Sequence, residues 1–388
     1  MKRRRATMRA GKPRAAAIGV LAVAAAAALT LLPARTAEAN PMDLAPERLT
    51  LPCAPITSGT TTVECGTGFT PTTGNAANNY YRPDNAAWAK LVTQYGLAIA
   101  PPAMHPARTT GYGGFEFSLF GVATTVSKDE DFMKRGTEGA ITNNQFPKNN
   151  SSPDGVLQVY GITGRKGLPY GFEIQGSVGY IANTEMTVLG GGIRLSPFEG
   201  FRKGALGVIP DISVGGYVNT LAGTNKVKMT VPALDVQVSK PFTIANQLII
   251  QPYIGWQMIW IDADSGVVDG TPKNDGLKNC NARPATPKEQ TAGDQGEFHC
   301  QTPGATYSDA PGGSKEALAK LDLNNNMVFA PVRFRMQRLF FGLAFRYEIA
   351  HLLIHAMTNI GDPTGDNVER VSGLAKQWTI GVMTGVSW

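Results

Sequence analysis

The chain ends on a segment in which large apolar residues alternate with small or polar ones. From Trp378 to Trp388, one face reads Trp, Ile, Val, Thr, Val, Trp, and the other reads Thr, Gly, Met, Gly, Ser. Successive side chains of a β-strand point to opposite faces of its sheet. An apolar face with an aromatic ring at each end is typical of a strand that crosses a bilayer between its two interfaces. The segment therefore predicts a membrane-crossing strand.

The first 39 residues predict a cleavable export signal. A basic stretch is followed by an uncharged, Ala-rich run from Ala15 to Leu32 and then by Ala37-Glu38-Ala39, a small-x-small cleavage site. The run is close to the shortest length that spans a bilayer, so an uncleaved membrane anchor is the alternative. Pro33 and the cleavage site favour removal, and we expect a mature chain that begins at residue 40.

Removing this leader changes the charge of the chain. The whole sequence has 36 basic and 30 acidic residues, and these become 28 and 29 once residues 1–39 are taken away. The high isoelectric point therefore belongs mainly to the leader. No basic excess remains that would indicate nucleic-acid binding.

Alternating segments continue through most of the chain after residue 110. No apolar run beyond residue 40 is long enough for a spanning helix, and the clearest strand pattern runs from Leu248 to Trp260. Ten such segments predict an all-β fold, a closed antiparallel transmembrane β-barrel with about ten strands and a range of eight to twelve. The predicted strands are about 112–126, 155–164, 171–182, 184–196, 209–220, 226–240, 247–263, 324–337, 339–350 and 377–388.

The lengths of the connections provide a second test of this barrel. With the C-terminus placed in the periplasm, the tight turn at residue 338 falls inside, and the long connections 127–154, 264–323 and 351–376 all fall outside. Outer-membrane barrels have short periplasmic turns and long external loops. The distribution of loop lengths therefore agrees with the predicted number of strands.

In these respects the chain resembles bacterial outer-membrane β-barrel proteins over residues 111–388. The resemblance is to the class, and it carries no functional residues with it. It implies contact with outer-membrane lipid, and it implies that the terminal strand is read by the barrel-assembly machinery. The tryptophans expected at the membrane interfaces or in the terminal signal are Trp256, Trp260, Trp378 and Trp388.

Residues 40–110 lack the barrel alternation. Asn85 is suited to cap a short helix in which Trp88, Leu91, Val92 and Tyr95 recur at helical spacing, and Pro101-Pro102 would end it. One interpretation is a periplasmic extension or a helix packed across the barrel mouth. The other is a plug threaded into the lumen.

Charged residues fall on the predicted inner face. They form either a structural network that fills the interior or a polar passage that selects solutes. We expect Arg333, Arg335 and Arg346 to lie close together, because the turn at 338 would join their strands. The full lumen-lining set is Arg333, Arg335, Arg346, Arg194, Glu348, Glu116, Glu173, Asp211 and Asp235.

Other motifs give weaker signals. His351 and His355 have the spacing of a helical metal pair but lack a neighbouring Glu, and the carboxylates of 262–269 do not keep the order of a calcium-binding loop, so neither a metal nor a cofactor is predicted. The four cysteines predict two local disulfides in an exported protein, with zinc as the alternative. These pairs are Cys53–Cys65 and Cys280–Cys300.

Three functions are compatible with such a barrel. The first is a passive or gated channel for small solutes in the outer membrane. The second is a structural or surface-interaction barrel with a filled lumen, which acts through its external loops. The third is a hydrolase, for which a Ser/His pair at the rim would be needed; no sequence signal places one there, and we predict no enzyme activity.

Overall fold

The computed structural model describes a large part of the chain beyond residue 39. All described residues belong to one compact unit, 39–388. Predictions that fall on other residues lie outside the described part. The described residues are 40–52, 81–140, 149–198, 209–244, 247–269, 280–283, 297–300 and 326–388.

Ten antiparallel strands form a closed barrel, as the sequence predicts. Each strand pairs with its neighbours along the chain, and the first and last strands pair with each other, so the ring of hydrogen bonds is complete. The strands are β1 (Phe115–Thr125), β2 (Val156–Gly167), β3 (Phe172–Ile181), β4 (Thr187–Leu195), β5 (Asp211–Ala222), β6 (Val227–Ser239), β7 (Leu248–Ser265), β8 (Val332–Tyr347), β9 (Ala350–Gly365) and β10 (Trp378–Ser387).

The terminal residue closes the seam between β1 and β10. The backbone N–H of Phe115 donates to the carbonyl oxygen of Trp388 at 2.8 Å, and the N–H of Trp388 donates back to Phe115 at 2.9 Å. Their rings stack with centroids 6.0 Å apart. Trp388 is therefore both the last residue of the seam and an aromatic residue of the outer surface.

The two ends of the barrel differ in their connections. Both of the longest connections, 126–155 and 266–331, lie at one end, while the opposite end carries the short β2–β3 and β8–β9 turns and the termini of the barrel. We call the first the external end and the second the periplasmic end, because outer-membrane barrels have this asymmetry.

Two predicted strand boundaries are wrong. Residues 332–347 form one continuous strand, so there is no turn at 338, and 350–365 form β9 instead of most of an external loop over 351–376. The apolar face changes sides along β8. Near the external end Phe334 and Met336 face an apolar lumen, whereas Leu339 and Phe341 face outward, toward lipid. The sequence pattern of this change resembles a turn between two strands.

The outer face is apolar and carries aromatic residues near both ends. Trp260 and Trp378 lie toward the external end, and Trp388 lies at the periplasmic end. Trp256 is nearer the middle and donates its indole N–H to Gln337 Oε1 at 3.0 Å. All four tryptophans lie on the outside of the barrel.

Short elements complete the described structure. Helix α1 spans Asn85–Ile99 and α2 spans Asp131–Gly136. Within the described ranges, no helix combines the length and apolar character needed to cross a bilayer. Three pairs of short strands lie outside the barrel sheet: Thr50–Pro52 with Tyr81–Pro83, Val268–Asp269 with Asn326–Met327, and Cys280–Arg283 with Glu297–Cys300. A further short strand, Phe242–Ile244, pairs with the beginning of β7. Turns of 3-10 helix lie at Pro46–Arg48, Pro169–Gly171 and Val368–Val371.

Candidate functional site in the barrel lumen

The N-terminal segment occupies the lumen. Helix α1 begins near the external end, where Asn85 Oδ1 accepts a hydrogen bond from the Ala330 N–H at 2.8 Å. Asp84 caps the helix by accepting from Ala87 N at 3.0 Å. The chain then continues through 100–110 and reaches β1 at the periplasmic end. The structure therefore places α1 in the position of a plug.

An apolar core fills the external half of the lumen. Trp88 is fully buried and stacks on Phe329, with ring centroids 5.0 Å apart. The same core takes in inward-facing apolar side chains from the external ends of β2 to β8. The helix residues in it include Trp88, Leu91, Val92, Tyr95, Leu97 and Ile99.

Arg338 holds the C-terminal end of α1 near the middle of the barrel. Its guanidinium is 1% exposed and donates to the carbonyl oxygens of Pro101 at 2.9 Å and Leu97 at 3.4 Å. Gln257 Oε1 accepts from Arg338 Nε at 3.1 Å, and its amide nitrogen donates to Pro101. A cation beside the last helical carbonyls stabilises a helix through their partial negative charge.

A second buried group holds residues 105–110. Arg194 and Glu173 form an ion pair at 2.5 Å, with both side chains 2% exposed. Arg194 also donates to the Pro106 carbonyl at 2.6 Å, and Glu173 Oε2 accepts from the Thr110 N–H at 2.8 Å. His105 contacts Arg194 through Nδ1 and lies 3.0 Å from the Tyr217 hydroxyl through Nε2.

A third polar cluster lies at the periplasmic mouth. Arg165 pairs with Glu116 at 3.2 Å and donates to the Met104 carbonyl at 2.8 Å. A cavity of about 70 Å³ is lined there by Glu116, Arg165, Arg346 and His351 among others. This volume suits a few water molecules.

The mouth also contains a Ser/His contact. Ser118 Oγ lies 3.0 Å from His351 Nε2 and donates to Glu116 Oε1 at 3.1 Å. Glu116 lies 3.5 Å from the same Nε2, and Nδ1 has no hydrogen-bond partner in the described part of the chain. A Ser-His-acid relay needs the serine and the acid on opposite ring nitrogens. Both groups here lie on one nitrogen, so the arrangement does not form such a relay.

The predicted lumen residues divide into two groups. Arg194, Glu173, Glu116, Asp211 and Asp235 face the lumen. The prediction for Arg333 and Arg335 is wrong: both lie on the outer face beyond the apolar belt.

Arg333 is 57% exposed and pairs with Asp262 at 3.2 Å, while Arg335 donates to Thr364 at 2.8 Å. Arg346 lines the periplasmic mouth. Glu348 lies exposed in the adjoining turn. The expected cluster of Arg333, Arg335 and Arg346 does not form.

The sequence pattern does not identify two of the buried arginines. It predicts a turn at Arg338, and Arg165 falls one residue beyond the predicted end of its strand. Arg338 lies on the same side of β8 as the buried Phe340, and Arg165 lies on the same side of β2 as the buried Thr163. In both strands this is the side that faces the lumen.

Extending the predicted strand 155–164 by one residue identifies Arg165. The sequence leaves Arg338 ambiguous, because it shares the inward alternation of Arg346 in strand 339–350 and opposes that of Arg333 in strand 324–337.

The structure shows where the histidine pair and the carboxylate-rich segment 262–269 lie. His351 and His355 lie on β9, where residues four apart share a face without lying one helical turn apart. No group of three potential metal ligands occurs among the residues that the structure describes. Asp262 and Asp264 pair with Arg333.

Of the cysteines, Cys280 lies opposite Cys300 in the register of their two short strands. Cys53 and Cys65 lie outside the described residues. The disulfides stay a prediction.

Residues 40–52 belong to a cap over the external end. Met42 donates to the Asn183 carbonyl at 3.0 Å, and Ala45 donates to Gly136 at 2.9 Å. Lys226 contacts Glu47 and Glu138 at 3.0 and 3.1 Å. We use the name external cap for residues 40–52 with the connections 126–140, 182–186 and 223–226.

Asp43 makes this cap sensitive to pH. Burial is the main cause that raises the pKa of its carboxyl to about 6; the charges of Glu138 and Glu185 act in the same direction, and the hydrogen bond from Glu185 N opposes them. The ordinary pKa is about 4. The folded state therefore binds this proton more tightly than the unfolded state, so its stabilising effect is present below pH 4 and is lost as the pH rises through 6.

Replacing Asp43 with asparagine is expected to raise the urea midpoint at pH 7 and to flatten its pH profile between pH 4 and 6. Asparagine keeps the acceptor for Glu185 N and carries no charge. Asp129→Asn, at an exposed position in the same cap, is the control and should keep the wild-type profile. An unchanged slope in Asp43→Asn would show that another group causes the pH dependence.

Comparisons with known proteins give no family. No family model matches the chain, and no curated protein matches it. Among solved structures, it is similar to the attachment invasion locus protein Ail of Yersinia pestis, with 10% identity, 71% of this chain and 99% of that chain covered, and a TM-score of 0.22.

Two further likenesses are to OprG of Pseudomonas aeruginosa and to the translocator domain of the autotransporter NalP of Neisseria meningitidis. For OprG the identity is 12%, the coverage 72% of this chain and 98% of that chain, and the TM-score 0.24. For NalP the identity is 9%, the coverage 72% of this chain and 89% of that chain, and the TM-score 0.28.

The closed ring of hydrogen bonds, the apolar outer belt and the asymmetric loops define the class of this protein. It is a β-barrel of the bacterial outer-membrane type. Its particular feature is a lumen occupied by its own N-terminal segment.

Proposed function

We propose that this protein is a barrel closed by its own N-terminal segment, which acts at the cell surface through its external cap and loops. The observation that carries the proposal is the apolar core around Trp88, in which α1 and the external ends of the wall strands share one buried cluster. A core of this kind characterises a permanent structural element.

The energetics support permanent closure. Burying a large apolar side chain contributes about 1.5–3 kcal/mol. The helix buries five such side chains, so withdrawing it would cost on the order of 10 kcal/mol before any polar contact is counted. Such a cost makes spontaneous opening negligible at equilibrium. The helix residues concerned are Trp88, Leu91, Val92, Leu97 and Ile99.

A gated channel is the second candidate. The observation that favours it is the polar periplasmic half of the lumen, where charged walls surround the cavity of about 70 Å³. A channel would require a partner or a force that withdraws α1 and exposes these walls to solutes. We propose no catalytic role, because the Ser118–His351–Glu116 arrangement lacks the order of a relay.

Export and assembly are part of the proposal. The leader 1–39 would be cleaved. The barrel-assembly machinery would recognise the terminal strand and insert the barrel, and outer-membrane lipid would then surround the apolar belt. The predicted disulfides Cys53–Cys65 and Cys280–Cys300 would form in the oxidising environment outside the cytoplasm.

Single-channel recording tests the closed state. Refolded residues 40–388, inserted in a planar bilayer, are expected to give no steady ion current. A chain lacking residues 40–110 serves as the comparison and should conduct if its barrel forms, because the lumen then holds no helix. Steady conductance from the folded chain 40–388 would contradict the proposal and favour the channel.

A further inference from the structure

The contacts of the N-terminal segment change in order along the chain. Met42 and Ala45 contact connections of the external end. Ile99 and Pro101 contact Asn219 and Arg338 near the middle. The segment thus runs in one direction through the barrel.

The lower part of the segment completes this path. Thr110 contacts Glu173 at the periplasmic end of β3. Gly113 donates to the Gly167 carbonyl at 3.3 Å, and Phe115 then starts β1 beside Trp388. The chain therefore enters β1 from the periplasmic end after it has already crossed the lumen.

We infer that residues 84–114 cross the outer membrane from outside to inside, so that residues 40–52, and with them the N-terminus of the mature protein, lie on the cell surface. Two parts of the chain then lie on the cell surface: the external loops and the N-terminal end. A sequence attached before residue 40 would be displayed outside the cell.

The direction of the segment has a consequence for the leader. An inner-membrane anchor joined to residue 40 would have to return from the external cap to the periplasm through a lumen that is already filled. Surface placement of residue 40 thus requires cleavage of the leader. It also requires the segment to pass outward through the barrel, or to be enclosed by it, during assembly.

An epitope inserted directly after Asn40 in the full precursor tests the inference. On intact cells, an antibody to the epitope should bind without permeabilisation of the outer membrane. The control carries the same epitope between Glu348 and Ile349, in the β8–β9 turn at the opposite end, and should be detected only after permeabilisation. Binding to the Asn40 epitope only after permeabilisation, in a folded barrel, would overturn the inference.

A measurement without insertion guards against misfolded variants. A membrane-impermeant amine reagent applied to intact cells should label the mature N-terminal amine and the exposed external Lys128, and should spare Lys166 near the periplasmic end. Labelling of Lys128 without the N-terminal amine would also overturn the inference.

This inference deepens the proposed function, and the two can fail separately. A surface N-terminus with steady conductance would retain the crossing and refute the closed lumen. A closed barrel with a periplasmic N-terminus would do the reverse.

Discussion

Replacing Glu173 with alanine is expected to lower the free energy of unfolding by about 3–5 kcal/mol, because it deprives a buried guanidinium of the carboxylate to which it is hydrogen-bonded. Arg194 is fully enclosed, and its ion pair with Glu173 is 2.5 Å long. The same change removes the acceptor of the Thr110 N–H. Urea titration of the protein in lipid vesicles, followed by tryptophan fluorescence, measures the loss.

Asp262→Ala is the matched control. It removes a carboxylate from another arginine, but the Asp262–Arg333 pair is exposed, with side chains 52% and 57% accessible. Exposed pairs contribute about 0–1 kcal/mol. Similar small losses for both variants would contradict the account of an occupied lumen in which the Glu173–Arg194 pair is buried.

A double replacement separates the charge effect from packing. In Glu173→Ala/Arg194→Met the uncompensated cation is gone, so the double variant should lose less stability than the sum of the two single variants. A strictly additive result would mean that the two side chains are not coupled.

Replacing Trp88 with alanine should have a comparable effect through a different cause. The side chain is fully buried and stacks on Phe329, which belongs to the external connection before β8. Truncating a buried Trp costs about 3–5 kcal/mol through lost contacts and a residual cavity. The variant should show a lower urea midpoint and faster hydrogen exchange in α1.

Tyr112→Ala is the control for Trp88→Ala. Tyr112 is 84% exposed at the periplasmic end, where its removal leaves no cavity. A substitution of this kind is expected to change stability by less than about 0.5 kcal/mol. If Trp88→Ala were as mild as Tyr112→Ala, α1 would not be anchored in the lumen.

The barrel itself could be predicted from the sequence because lipid imposes a simple rule. Side chains that face lipid are apolar, so Leu248–Trp260 and Trp378–Trp388 show their strand period directly. The number of strands was also right. The error at 338 arose where this rule stops applying, because β8 extends past the membrane and turns its apolar side toward α1.

The site could be predicted only in part. The alternation of side chains along regular strands correctly predicts that Glu173, Arg194 and Asp235 face the lumen. The same alternation does not indicate that α1 occupies the space inside the barrel. Val332, Phe334 and Met336 belong to the buried apolar cluster that includes that helix. No local pattern distinguishes such residues from residues that face lipid.

Hydrogen exchange of residues 85–110 in the folded chain tests the occupied lumen most directly. A helix of about 15 residues is marginal in water by itself, so lasting protection of α1 must come from the barrel around it. We expect peptides from this region to exchange as slowly as those from β6, in detergent micelles at neutral pH. Complete exchange within seconds, while β6 stays protected, would contradict the occupied lumen.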